Sequence, residues 1–268
     1  MVRGRPTSRP FLGLEAYRIA KFLSEAIGAR VAGSDKERAA AEFISHSFQS
    51  MGYTTSFQRF EAPAGRESQN VLATRVDALP ESFLVVGAHY DTVKDTPGAN
   101  DNASGVGVLM ETAIVLAGIE LPVPVVFAAF GSEEGSHAGL KHLVSSLASP
   151  SVVAGIINLD AVGVDAGLEI GCYGGGDPWL ANHCRATADS LGYLVSDGNF
   201  GGKSDYASFA EVGIPVACFA RTDQPYAHTP DDDMDKISRE GMAEIGTILV
   251  MALANLPRPP RKGNQPDR

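Results

Sequence analysis

The apolar run Val123-Pro124-Val125-Val126-Phe127-Ala128-Ala129-Phe130 stops abruptly at Gly131-Ser132-Glu133-Glu134-Gly135. A short apolar run closed by turn residues reads as a strand buried in a sheet. Two adjacent carboxylates at its end are costly unless their charge is compensated. Buried carboxylates are ordinarily paired with a cation or bound to a metal. The rest of the chain must therefore cover the strand and supply partners for the acid pair.

The segments around this strand alternate. Residues 11–30 are amphipathic with helical spacing, and Ser34 or Asp35 can cap a second helix over about 36–50. Thr54–Phe60, Asn70–Val76 and Ser82–Ala88 read as strands, and Val106–Ala117 as a helix. After the Glu-Glu pair come a helix over Ala138–Leu147, then strands at Gly155–Leu159 and Leu168–Cys172. A helix near Pro178–Leu191 follows, with Asp177 as its expected cap and Pro178 as its first residue. Gly198–Gly202 reads as a glycine-rich loop leading to Ser204-Asp205-Tyr206 and a short helix. Ile214–Ala220 is a strand, Arg221–Met234 a polar loop, and Ile237–Leu256 a final helix. This alternation predicts an α/β fold with a mostly parallel sheet covered on both faces. We expect a single domain over 1–256 and a disordered Pro- and Arg-rich tail over 257–268.

Composition narrows the function. The net charge of −10 argues against a nucleic-acid partner, which calls for a basic face. The three cysteines, Cys172, Cys184 and Cys218, have neither the number nor the spacing of a disulfide framework or a Cys-type zinc site, and read as buried thiols. No apolar run reaches the length of a membrane span, and no apolar segment follows Arg3, Arg5 and Arg9. These features lead us to expect a cytoplasmic protein, or a secreted one if the sequence is a processed form.

His89, Glu133/Glu134, Asp160 and His228 all fall just past expected strands, where open α/β sheets bind ligands. With Asp101, in the polar loop before a helix, they offer two imidazoles and several carboxylates, the donor types of zinc and related divalent metals. Two His and three carboxylates suit two ions, with Asp101 the natural bridge. Asp91, two residues beyond His89, is placed to accept the imidazole's other N–H. Taken singly, each residue has an ordinary explanation: a strand-end histidine, a capping aspartate, a turn residue, a solvated acid pair. Their joint placement at strand ends favours a metal centre.

Several stretches also resemble one family. Gly87-Ala88-His89-Tyr90-Asp91-Thr92 closely resembles the first metal motif of the di-zinc aminopeptidases, the family of the secreted bacterial leucine aminopeptidases and aminopeptidase Y. Pro97–Gly105 resembles its bridging-aspartate loop and Phe130–Gly135 its base-plus-ligand pair. Ile157–Asp160 and His228–Asp232 resemble the remaining ligand motifs, in the family's order, and Ala29–Ser34 the N-terminal portion. The resemblance covers roughly residues 25–250. It implies a three-layer α/β/α sandwich of the zinc-exopeptidase type with a mixed, mostly parallel central sheet. It further implies one ion on His89 and Asp160, another on Glu134 and His228, Asp101 between them, and a cis peptide at Asp101-Asn102. Zinc is the family default, although Co²⁺ or Mn²⁺ also suits an N/O site.

The implied activity is removal of N-terminal residues from peptides, with Glu133 as general acid/base. The oxyanion needs a further donor. Tyr206 is the first candidate, with substrate contact and packing as its alternatives, and Tyr226 is a weaker one. Arg221 is either a solvated arginine or a contact for a substrate carboxylate, as a carboxypeptidase or dipeptidase on this scaffold would need. His137 and His142 are expected on the helix after the acid pair, outside the site. A non-catalytic peptidase-like binding domain is the alternative of another class. The oligomeric state is not legible.

Overall fold

In the computed structural model, which describes residues 9–75, 82–147, 149–173, 176–200, 209 and 212–257, eight strands form one sheet. They are β1 (Thr54–Ala62), β2 (Arg66–Thr74), β3 (Phe83–His89), β4 (Val125–Phe130), β5 (Val153–Leu159), β6 (Leu168–Tyr173), β7 (Val195–Phe200) and β8 (Val216–Arg221). Their order across the sheet is β1-β2-β4-β3-β5-β8-β6-β7. The middle strands β4, β3, β5 and β8 are mutually parallel. These are the most apolar segments, and every residue of β3 and β8 is buried, as strands covered on both faces must be. The flanks break the parallel pattern: β2 joins β4, and β6 joins β8, in antiparallel register.

The helices are α1 (Leu14–Lys21), α2 (Asp35–Ser50), α3 (Gly105–Leu116), α4 (Ala138–Ser146), α5 (Trp179–Ser190) and α6 (Arg239–Ala254). Alternation along β3 sends Leu84, Val86 and Ala88 to one face and Phe83 and Val85 to the other. The first face packs under α1, α2, α3, α5 and α6. The second packs against Leu140 and Leu143 of α4 together with Phe209 and Ile214. The expected three-layer α/β/α sandwich is therefore present, with one helical layer much larger than the other. α3 lies at the centre of the larger layer and is buried on nearly all sides, which explains why its sequence is apolar all round.

Local chemistry sets the helix ends. Ser34 caps α2 by accepting from Glu37 N, and Glu37 reaches back to the Gly33 N–H at 2.6 Å. α1 has no capping side chain of its own. Its N-terminal donors are instead met by Glu111 of α3, which accepts from Leu12 N at 3.1 Å and Ala16 N at 2.8 Å. α5 starts one residue later than expected: Pro178 occupies the cap position and the Asp177 side chain accepts from Trp179 N.

Another expectation fails at its start: of the loop expected over Gly198–Gly202, residues 198–200 belong to the edge strand β7. β7 pairs with β6 alone, so it needs no apolar alternation. Gly171 lies opposite Gly198, and a Cβ on Gly171 would run into the Gly198 backbone, so this pair of strands approaches closely only with glycine there. Residues 201–208 and the tail from 258 lie outside the described residues.

The Glu111 contact yields a test. Glu111→Ala would leave the buried Ala16 N–H and the part-buried Leu12 N–H without an acceptor, and the loss at a buried donor costs about 1–3 kcal/mol. Urea unfolding should show a loss of roughly 2 kcal/mol or more. An unchanged midpoint would mean that water or a neighbouring group replaces the carboxylate.

Candidate metal centre

Because β3, β4, β5 and β8 run parallel, their C-terminal ends share one edge of the sheet. His89 is the last residue of β3, and Asp160 directly follows β5. Glu133 and Glu134 lie just past β4, and His228 sits in the loop after β8. Asp101 comes from the irregular turn Ala99–Ser104 that leads into α3, where the Asp101-Asn102 peptide is cis, as the resemblance implied. All of these residues line a cavity of about 430 Å³.

Asp101 is the centre of the arrangement. Its Oδ1 lies 3.1 Å from His89 Nε2, and its Oδ2 lies 3.2 Å from His228 Nε2. Asp160 Oδ1 is 3.5 Å from His89 Nε2, and Glu134 Oε2 is 3.1 Å from His228 Nε2. Two donor sets result, His89–Asp101–Asp160 and Asp101–Glu134–His228, each with its ligand atoms within 4.8 Å of one another. Nitrogen and oxygen donors clustered in this way fit a divalent cation. The two sets differ in exposure: the His89 side chain is 2% exposed and that of His228 is 58% exposed.

Buried acids hold the loops that carry these donors. Asp91 accepts the backbone N–H groups of Glu133 at 2.9 Å and Glu134 at 3.0 Å. Glu37 accepts from Ser132 N at 3.1 Å and from the Ser68 hydroxyl at 2.7 Å. Asp232 accepts from Asn100 N at 2.7 Å and Asp101 N at 3.0 Å. Asn102 joins Leu159 O to the Gly105 and Ala161 amides, so the bridging loop is tied to the end of β5. Arg30, fully buried, donates to the carbonyls of Tyr90, Leu23, Gly28, Pro97 and Gly98.

Electrostatics follow from burial and crowding. Burial works against ionisation of Asp101, but hydrogen bonds to His228 and His89 hold its carboxyl well below the usual range. Burial pulls His89 down, yet Glu133, Asp101, Asp160 and Asp91 together carry it well above its ordinary value. Burial raises Glu133 to about 8, with Asp160, Asp91 and Glu134 adding to it. Glu134 rises to about 7, again mainly through burial. His228 rises to about 9, chiefly through its hydrogen bond to Asp101.

The five expected metal donors and Glu133 thus converge in one cavity. Asp91 is also present, but its oxygens bind the Glu133 and Glu134 amides, while its Oδ1 stands 3.7 Å from His89 Nδ1, beyond hydrogen-bond distance. Tyr206 lies outside the described residues. Arg221 is neither solvated nor in the cavity lining: it is buried, donating to Ala166 O, Gly241 O and Glu244 Oε2. Tyr226 is half exposed, with Lys236 Nζ 4.9 Å from its ring centre. His142 lies in α4 beside Phe60, as expected. His137 departs from expectation: it precedes α4, lines the cavity, and has its Nδ1 3.1 Å from Glu133 Oε1. Sequence reasoning also missed Glu37, Asp232 and the role of Arg30, although the last two sit inside the motifs that carry the resemblance.

The chain is similar to known proteins in both sequence and fold. The model of peptidase family M28 matches residues 70–253. The chain is 31% identical over 209 residues to Aminopeptidase YwaD of Bacillus subtilis, covering 73% of this chain and 46% of that one. It is 30% identical over 197 residues to Leupeptin-inactivating enzyme 1 of Streptomyces exfoliatus, covering 70% and 44%. The chain thus spans about half the length of these curated relatives. In fold it is similar to the structure of BSAP, a zinc aminopeptidase from Bacillus subtilis, with a TM-score of 0.85 at 22% identity over 92% of this chain and 95% of that one.

The protonation pattern predicts how metal affinity varies with pH. In the metal-free chain, His228 holds its proton up to about pH 9 and Glu134 up to about pH 7. A cation must displace these protons to reach its donors. Affinity should therefore rise with pH between 6 and 9, by about tenfold per unit for each proton displaced. Competition against a chromophoric chelator at several pH values reads this directly, and a flat profile would contradict the donor assignment.

Proposed function

The chain belongs to peptidase family M28, and from that premise we propose that it is a metal-dependent exopeptidase releasing N-terminal residues from peptides. The observation that carries this reading is the Asp101 carboxylate, which presents one oxygen to each of two histidine-containing donor sets. His89 and Asp160 would hold one ion, Glu134 and His228 the other, and Asp101 both. Zinc suits these donors, and Co²⁺ or Mn²⁺ fits the same N/O set. When bound, a pair of divalent cations lowers the pKa of a water and polarises the scissile carbonyl.

The chain's own residues do the rest. Glu133 belongs to neither donor set, yet lines the same cavity. It takes a proton from the attacking water and delivers one to the leaving amine. Its burial, which raises its affinity for a proton, suits the second half of that role. Asp91 fixes the backbone of both glutamates, so the two side chains can diverge, one to the donor set and one to the water. Tyr206 remains the first candidate for the oxyanion donor, from the segment outside the described residues.

The substrate end follows from charge. Glu133, Glu134, Asp101 and Asp160 line the cavity, and among its described lining residues there is no Lys or Arg. With divalent cations bound, the donor carboxylates would be neutralised, so charge bears on the substrate end through the lack of a Lys or Arg among the described lining residues. A carboxypeptidase or dipeptidase needs a cation for the substrate carboxylate, and Arg221 is engaged elsewhere. A binding domain without catalysis would have no use for a glutamate outside both donor sets that lines the same cavity. Nothing favours a nucleic-acid partner, and among the described residues no helix is long and apolar enough to cross a membrane. The cytoplasmic expectation has only the sequence behind it.

Two measurements test this function. After metal add-back, the protein should hydrolyse aminoacyl substrates and free-amino peptides and spare N-blocked ones; activity confined to N-blocked peptides would exclude the assignment. Glu133→Gln should keep the fold and metal content while lowering turnover by about 10²–10⁴-fold. Unchanged turnover would remove Glu133 from the mechanism.

A further inference from the structure

Glu133 must stay turned toward the cavity although it belongs to neither donor set, so no cation would hold its side chain there. Its backbone is held by Asp91, but that leaves the side chain free to rotate. Among the described residues, the one side-chain hydrogen bond that the Glu133 carboxylate makes is with His137. We propose that His137 is a positioning residue for Glu133, donating its Nδ1–H to Glu133 Oε1 and holding that carboxylate toward the water it deprotonates. The proposal rests on the peptidase function above, but it concerns a residue outside the stretches that carry the family resemblance.

The backbone makes this contact possible. The His137 N–H donates to Glu133 O at 2.8 Å, closing one helical turn, and Ala138 N donates to Ser132 O at 2.9 Å. Residues four apart on such a turn face the same side, so the ring of His137 meets the carboxylate of Glu133 at 3.1 Å. His137 itself has φ 61°, which ends the turn and lets α4 leave in a new direction, its first turn starting on the His137 carbonyl. The ring is partly buried, 27% exposed, beside a carboxylate that is 13% exposed. Burial and the nearby Lys141 keep the imidazole neutral. A neutral ring has a single N–H donor, and on this proposal it sits on Nδ1, the nitrogen that faces the Glu133 carboxylate.

Three arms test the proposal. In the metal-free chain above about pH 8, where Glu133 has given up its proton, ¹⁵N NMR of the histidine ring should show His137 with its proton on Nδ1, and Glu133→Ala should shift the tautomer toward Nε2–H. In the metal-loaded enzyme, His137→Ala should lower kcat on the order of tenfold to a hundredfold with KM nearly unchanged, because the loss is in aim and not in binding. His137→Asn places an amide N–H near the position of Nδ1–H and should restore most of that loss. An Nε2–H tautomer in the wild type, or an active wild type whose kcat does not respond to His137→Ala, overturns the proposal. So does a loss that Asn fails to rescue and that comes with a fall in Tm, since that marks a packing role. A wild type that hydrolyses no peptide after metal add-back sinks the peptidase function instead, and the tautomer then decides the His137–Glu133 bond by itself.

Discussion

Like charges crowded into one cavity are the constraint on which this structure depends. Asp101, Glu133, Glu134 and Asp160 converge with two histidines at the end of the parallel strands. The idealised cost of moving a carboxylate from water into a dry interior is large, and several kcal/mol remain after relaxation. The metal-free chain meets this cost by protonation: Glu133 and Glu134 bind protons more tightly than isolated glutamates, and both imidazoles are pushed toward their charged form. Asp101 alone moves the other way, because each of its oxygens faces an imidazole. A cavity arranged like this gains most when cations replace the protons.

Holding such groups together takes a support stronger than packing, and here it is a second ring of buried acids acting on backbone amides. Asp91 and Asp232 each take two N–H groups, and Glu37 takes two amides and a hydroxyl. Hydrogen bonds to charged groups are worth about 1.5–3 kcal/mol each, so two or three per carboxylate offset a substantial part of its burial. Arg30 adds the opposite charge. Burial lowers its pKa to about 10, while Asp91, Asp232 and Asp101 pull it back toward the charged form. Its guanidinium ties the Leu23–Gly28 turn to the Tyr90–Gly98 segment that follows His89 through five carbonyls.

Three of the donors were legible because each ends or closely follows a segment whose hydrophobicity announces a buried strand. His89, the Glu133-Glu134 pair and Asp160 stand out as the first titratable groups after apolar runs. The supporting residues lack that contrast. Asp232 lies in Asp231-Asp232-Asp233, an acidic run that reads as solvated, yet it is fully buried. Glu37 looks like an ordinary first-turn acid of an amphipathic helix, and only the path of β2 shows that it meets Ser68 and Ser132. His137 was misread because Ala138–Ser146 extends naturally back over it; the left-handed backbone at His137 is what turns its ring into the cavity. Polar edge strands such as β7 carry no periodic signal, since their pairing is through the backbone and one face needs no core.

The two donor sets also differ in how they are built, and the difference follows from topology. His89 and Asp160 stand at the ends of adjacent parallel strands, β3 and β5, whose register the core fixes. His228 sits on a loop with φ 61°, exposed, and reaches the site only through Asp101 and Glu134. Within that loop, Asp232 N–H is held by the Thr229 carbonyl, and its carboxylate by the Asn100 and Asp101 amides. The buried acid thus joins the loop that carries the exposed histidine to the turn that carries the shared aspartate. Displacing that loop would move Asp101 as well, so the open half of the site cannot shift without disturbing the closed half.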